Sequence, residues 1–151
     1  MAKEFDYQFG LTELVPSKQL DAREGEKVTA FKTLVEKTVT PEILNLPTFP
    51  SKREVFVSVM QFFSSRKEYE SRDVDNISKT ILDCLKGKLY IDDSQVRTLL
   101  ISKKMSPKVP TNFVFVGIRE LKGETDVGIV QDHLLEQAIV LYQTSAKTNL
   151  G

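Results

Sequence analysis

Apolar and polar residues alternate near the start of the chain, where Phe5, Tyr7 and Phe9 are separated by polar positions. A period of two predicts a strand over residues 4–11. Residues 12–27 are polar and hold Pro16 and Gly25, the composition of a loop. From Lys27 to Lys37 the period lengthens, with Val28, Phe31, Leu34 and Val35 at i, i+3, i+6 and i+7. That spacing predicts an amphipathic helix. Residues 40–51 carry Pro41, Pro47 and Pro50 and read as a connector. Residues 55–63 are apolar on both parities, broken only by Ser58 and Gln61. Their β-branched and aromatic content fits a strand buried on both faces.

Residues 64–72 are charged and read as a loop. Asp75 stands where an N-cap would open a helix running to about Lys86, and Gly87 would close it. Residues 95–102 and 113–118 read as two further strands, separated by a polar turn with Pro107 and Pro110. A last helix over 125–144 carries Val130, Leu134, Leu135, Ala138 and Leu141. This order predicts an α+β (mixed α/β) fold: one roughly four-stranded mixed sheet with helices packed on it, forming a single compact domain over 1–151. A chain of this length buries roughly 68–70% of its unfolded surface, enough for a real core.

Bulk chemistry narrows the function classes. No apolar run approaches the roughly 20 residues that span a bilayer, and the start lacks the apolar stretch of a secretory signal. No membrane association and a cytoplasmic location are therefore expected. Cys84 is the only cysteine and His133 the only histidine. This excludes an internal disulfide, a cysteine-based zinc site, histidine-metal nucleases and HExxH proteases. Cys84 is expected in the core, and His133 at the surface or satisfied. Net charge is zero, which by itself argues against nucleic acid. The distribution changes that picture, because residues 52–104 hold 11 Lys/Arg against 8 Asp/Glu. With four of those aspartates facing metal ions, the remainder of the segment is electropositive.

Those aspartates are Asp73 and Asp75, ahead of the helix, and Asp92 and Asp93, in the turn after it. At roughly 100° per residue, Ile77, Ile81, Cys84 and Leu85 share one helix face. Asp75, Lys79 and Asp83 share nearly the opposite one. Two accounts fit. In one, Asp75 caps the helix, Lys79 pairs with Asp75 or Asp83 for a few tenths of a kcal/mol, and Asp92-Asp93 is a turn. In the other, the clusters meet and three or four carboxylates converge. Such oxygen ligands suit Mg²⁺ or Mn²⁺, which activate water for in-line displacement at phosphorus. Lys79 would then stabilise the pentacovalent phosphate or orient the water. An EF-hand does not fit, because Ile77, Ser78 and Cys84 stand where its ligands and glycine should be.

The series Asp73-Val-Asp75-Asn76-x-x-Lys79-x-x-Leu82-Asp83, then Gly87, then Asp92-Asp93-Ser94-Gln95-Val96, resembles the signature of the RusA family of Holliday junction resolvases. These are small phage- and prophage-associated endodeoxyribonucleases. The resemblance covers residues 72–97. It implies a mixed α/β homodimer, dependence on Mg²⁺ (or Mn²⁺), and paired nicks across a four-way DNA junction, in a bacterial or phage-encoded protein. By position, Asp73, Asp75 and Asp93 would hold the metal, with Asp92 as an additional ligand, and Lys79 would be the catalytic lysine. Asn76 and Asp83 match the motif and would support loop and helix. A twofold dimer suits a junction of near-twofold symmetry. The family's Pro-rich N-terminal loop is echoed only by Val15-Pro16-Ser17-Lys18.

DNA contacts are expected from Lys52, Arg53, Arg66, Lys67 and Arg72, which flank the acidic loop, and from Lys103 and Lys104 beyond the strand. Tyr69 would stack on a base or cover the edge of the core. Two other functions stay open: a branched-DNA-binding accessory protein that does not cleave, and a nuclease of the same chemistry acting on flaps or other branched DNA.

Overall fold

The computed structural model describes residues 4–17, 22–123, 126 and 132–150. The chain divides into two compact units, Met1–Glu120 and Leu121–Gly151. The first holds β1 (Tyr7–Leu11), α1 (Ala22–Ile43), β2 (Val55–Phe62), α2 (Arg66–Ser71), α3 (Val74–Leu85), a 3₁₀ turn (Asp93–Gln95), β3 (Val96–Lys104) and β4 (Phe113–Glu120). The second holds α4 (Asp132–Leu150). The expected start of that last helix falls largely outside the described residues, as does the side chain of His133. Among the described residues, no helix is long and apolar enough to cross a membrane.

The four strands form one sheet in the order β1-β4-β2-β3. β4 runs antiparallel to both β1 and β2, whereas β2 and β3 are parallel. A parallel pair needs a long crossover, and α2 and α3 supply it. The expected four-stranded mixed sheet with helices is therefore the observed architecture.

The period-two pattern decides the faces. Tyr7, Phe9 and Leu11 of β1, Val55, Val57 and Val59 of β2, and Val114, Val116 and Ile118 of β4 form one core with both long helices of the unit. From α1 come Phe31, Val35 and Val39, and from α3 come Ile77, Ile81, Cys84 and Leu85, all buried. Each fully buried Ile or Leu adds about 1.5–3 kcal/mol, so α3 is held by its apolar face. On the other side of the sheet Phe5 stacks on Phe56 and meets Phe115 edge-on. Gly117 lies beneath the Phe5 ring, where a Cβ would come within 2.7 Å of it.

Three boundaries differ from the sequence reading. α1 spans 22 residues and passes through Pro41. The buried stripe continues to Val39, and a proline in the last turn removes only one helical bond near the end. The charged segment 64–72 contains α2, capped by the Ser65 hydroxyl accepting from the Glu68 N–H at 3.1 Å. α2 buries none of its residues, so no apolar stripe announces it. α3 starts two residues earlier than expected, with Asp73 rather than Asp75 as N-cap. It ends at Leu85 with Lys86 as C-cap, and Gly87 follows with a φ of +82° that favours glycine.

Candidate active site

The N-terminus of α3 borders a cleft of about 170 Å³ lined by Val15, Pro16, Ser17, Ser71, Arg72, Asp73, Asn76 and Ile77. One wall is the segment 13–17, held by three side chains from elsewhere in the fold. Gln61 of β2 accepts from Val15 N at 3.0 Å and donates to Glu13 O at 3.0 Å. Arg72 Nη1 donates to Val15 O at 2.8 Å, and Thr80 of α3 donates to Pro16 O at 2.9 Å. Gln61 and Thr80 are fully buried, and buried polar groups need such partners. The clamp sets Ser17, whose buried hydroxyl oxygen has no hydrogen-bond partner, in the same cleft as Asp73 and Asn76.

Asp73 makes no side-chain cap to its own helix. Asp75 lies in the first turn, and its carboxylate is 3.5 Å from Lys79 Nζ, with both side chains 66% exposed. The apolar half of α3 is fully packed, so this pair stands on the free face, as the helical spacing expects.

The second cluster reaches α3 through Tyr90. Its ring is completely buried. Its hydroxyl lies 2.6 Å from Leu82 O and 3.1 Å from Asp93 Oδ1, sharing one proton between them. Burial, then the charge and hydrogen bond of Asp93, then the charge of Asp83, push the Tyr90 hydroxyl well above the usual phenol range. The charges of Asp93 and Asp83 thus act on the same hydroxyl.

The neighbouring turn is self-capped. Asp92 accepts from Ser94 N, and Gln95 Oε1 accepts from Asp92 N and Ile91 N. Gln95 Nε2 donates to Ser51 O and Arg53 O, tying the turn to the entry of β2. Hydrogen bonds from Ser94, and then the Lys86 ammonium, hold the Asp92 carboxyl below its ordinary range. The Lys86–Asp92 distance is 3.4 Å.

The structure therefore brings Asp75 to Lys79, Asp92 to Lys86, and Asp93 to the Tyr90 hydroxyl. It does not gather them into one group: among the described residues, no three His, Cys, Asp or Glu side chains are placed to hold a metal ion. The reason is the length of an unbroken helix. Leu82, where Tyr90 anchors the second cluster, is seven residues beyond Asp75, about 10 Å along the axis. Mg²⁺ does not require three carboxylates, since it is commonly held by one or two, with water and substrate phosphate completing the shell. The donor chemistry of Asp73 and Asp75, or of Asp83 and Asp93, suits that ion.

The basic residues divide. Arg66 pairs with Glu70 at 3.2 Å on the exposed face of α2. Arg72 is engaged inside the fold by Val15 O and by Glu68 at 3.5 Å. Lys103 donates to Tyr69 O at 2.6 Å and Arg72 O at 2.8 Å. Lys104 ends β3 and is exposed, as are Lys52, Arg53 and Lys67. Tyr69 covers the core edge, its ring meeting Phe63 edge-on at 5.5 Å. Cys84 is buried.

Sequence reasoning missed the roles of Tyr90, Gln95, Thr80 and Gln61. Two signals were present: Asp92-x-x-Gln95 has the spacing of a capping box, and Gln61 interrupts an otherwise apolar strand.

The sequence profile of the family described as endodeoxyribonuclease RusA matches residues 15–117, more than half of the chain. The chain belongs to the RusA endodeoxyribonuclease family. Among curated proteins, none matches the chain. The matched span opens at Val15, the residue clamped by Gln61 and Arg72, and takes in α3 and the Asp92–Val96 turn. The RusA match therefore includes Asp73, Asp75, Asp83, Asp92 and Asp93 and every residue lining the cleft.

Proposed function

We propose that this RusA-family protein is a Mg²⁺-dependent, structure-selective endodeoxyribonuclease that resolves Holliday junctions by paired phosphodiester hydrolysis as a homodimer. One observation carries the reading. Within the matched span, Asp75 and Lys79 stand together on the solvent face of a helix whose opposite face is wholly buried. Such a helix is a rigid support for chemistry on its exposed side.

Asp73 and Asp75 are the residues that would hold the metal at the start of α3. Asp93, with Asp92 as an outer member, stands in a separate group here and would join the set when the ion is bound, and Mn²⁺ would substitute for Mg²⁺. When bound, the ion supplies a more acidic water and neutralises charge on the phosphate. Lys79 supplies a cation at the head of the same face, able to stabilise the developing charge on a phosphoryl group. Asn76 shares the cleft with Asp73. Asp83 supports the second cluster beside Tyr90. Phosphate contacts fall to Arg66 and Lys67 of α2, just ahead of the cleft in sequence, and to Lys104 at the end of β3.

A second reading has a specific observation behind it. Because no three-carboxylate group forms among the described residues, a branched-DNA-binding protein without cleavage is the competing function. Cleavage of a labelled four-way junction, with flap and linear duplex controls, separates the two. Mg²⁺-dependent symmetric nicks on the junction, abolished by EDTA and by Asp75→Asn while junction binding persists, are expected. Full activity of Asp75→Asn would overturn the assignment. Binding with no products in either metal would favour the accessory protein, and equal cutting of flaps would keep the chemistry and remove the junction selectivity.

A further inference from the structure

We propose that Lys103 is a positioning residue that fixes the main chain delivering Asp73 to the cleft, and that it acts through backbone carbonyls rather than through DNA phosphate. The inference rests on the nuclease reading above. Lys103 lies at the C-terminal end of β3, directly beside Gln61 in the parallel register with β2. Its ammonium has three donors. Two go to Tyr69 O at 2.6 Å and Arg72 O at 2.8 Å. The charge also sits 4.4 Å from the centre of the Tyr69 ring, within cation–π range.

The segment it holds depends on contacts from outside itself. α2 is six residues long and buries none of them, and a helix that short is not stable by itself. Its C-terminal carbonyls lack helical partners and carry the negative end of the dipole. A lysine donating to them satisfies both needs. Arg72 O belongs to the peptide group that joins Arg72 to Asp73, so the bond from Lys103 sets the plane from which Asp73 departs. Asp73 makes no side-chain cap to α3, so its carboxylate takes its direction from that main chain. The two neighbours on the sheet thereby hold the two walls of the cleft: Gln61 grips Glu13 and Val15, and Lys103 grips Tyr69 and Arg72. Arg72 closes the link between the walls through Val15 O.

The test compares Lys103→Met and Lys103→Arg with the wild type in three readouts: steady-state cleavage of a four-way junction, junction affinity across a salt series, and amide hydrogen exchange over residues 69–76. For Lys103→Met, unchanged affinity and salt slope, a kcat lowered by at least about tenfold and faster exchange over 69–76 are expected. Lys103→Arg, which keeps donors for both carbonyls, should recover most of the turnover. Weaker binding with a salt slope reduced by about one and turnover intact would identify a phosphate contact and overturn the proposal. If the wild type cleaves nothing, the nuclease reading fails, and hydrogen exchange alone then decides the positioning role: unchanged protection in Lys103→Met would overturn it. Should Lys103→Met not fold, Lys103→Gln, whose shorter side chain removes the charge and one of the three donors, carries the same comparison.

Discussion

The Tyr90 hydroxyl lies 3.1 Å from Asp93 Oδ1, and so the acidic turn after α3 is tied back to that helix rather than left to solvent. The same hydroxyl reaches Leu82 O at 2.6 Å. A single buried phenol thus links the turn, the helix backbone and the second acidic cluster.

Tyr90→Phe keeps the ring and deletes the hydroxyl, leaving Leu82 O and Asp93 without that partner. Loss of a buried hydrogen-bonding group of this kind is expected to lower stability by about 1–3 kcal/mol. Urea unfolding checks this, and a midpoint equal to wild type would show that the hydroxyl bonds contribute nothing net.

Gln61→Leu should be more damaging, although leucine suits the apolar surroundings in size. It strands the Val15 N–H and the Glu13 carbonyl together, each at about 1–3 kcal/mol. Residues 13–17 should then lose protease protection before the rest of the sheet does. Limited proteolysis read by mass spectrometry follows that order, and wild-type protection at 13–17 would count against the clamp.

Lys79→Ala should separate turnover from folding. The Asp75–Lys79 pair is 66% exposed on both sides, and such i,i+4 pairs contribute only about 0.3–0.5 kcal/mol. Stability should therefore hardly move, while kcat on a junction falls far more than affinity. A large change in thermal midpoint, or unchanged kcat, would contradict the role given to this lysine.

Alkaline pH should weaken the first unit through Tyr7. Its hydroxyl donates to Glu42 at 2.7 Å. Burial, then the Glu42 hydrogen bond and charge, raise its pKa above the ordinary value of 10.0. Above that value the unfolded chain loses the proton while the folded chain keeps it, so stability falls as pH rises. The contribution is complete below pH 10 and is lost as pH climbs towards the raised folded value. Urea unfolding at pH 9, 10 and 11 should show a shallower decline for Tyr7→Phe than for wild type, and parallel declines would refute the linkage. Tyr90 works in the same direction and remains in both proteins.

The strands were legible because each carries its burial in its own period. The alternation of Tyr7, Phe9 and Leu11 and the doubly apolar run from Val55 to Phe62 need no distant information. The same holds for α3, where Ile77, Ile81, Cys84 and Leu85 mark one face and leave Asp75 and Lys79 on the other. α2 was hidden because its stability comes from outside: the Ser65 cap, the Tyr69 ring against Phe63, and Lys103 on its final carbonyls. Pro41 misled in the opposite direction, since a proline near a helix end breaks one bond and the buried stripe outweighs it.

The sequence by itself determined the four strands, the amphipathic faces of α1 and α3 and the chemistry available at each position, because those follow from local period and residue type. It also carried the acidic signature of the RusA family, whose spacing survives in linear order. Only the tertiary structure decided which of those residues meet. It tied Asp93 through the Tyr90 hydroxyl to Leu82, seven residues along α3 from Asp75, and it turned Arg72 and Lys103 inward onto carbonyls instead of outward. Such outcomes depend on contacts between residues tens of positions apart, where a crossover length and a sheet register, not a local pattern, set the distance.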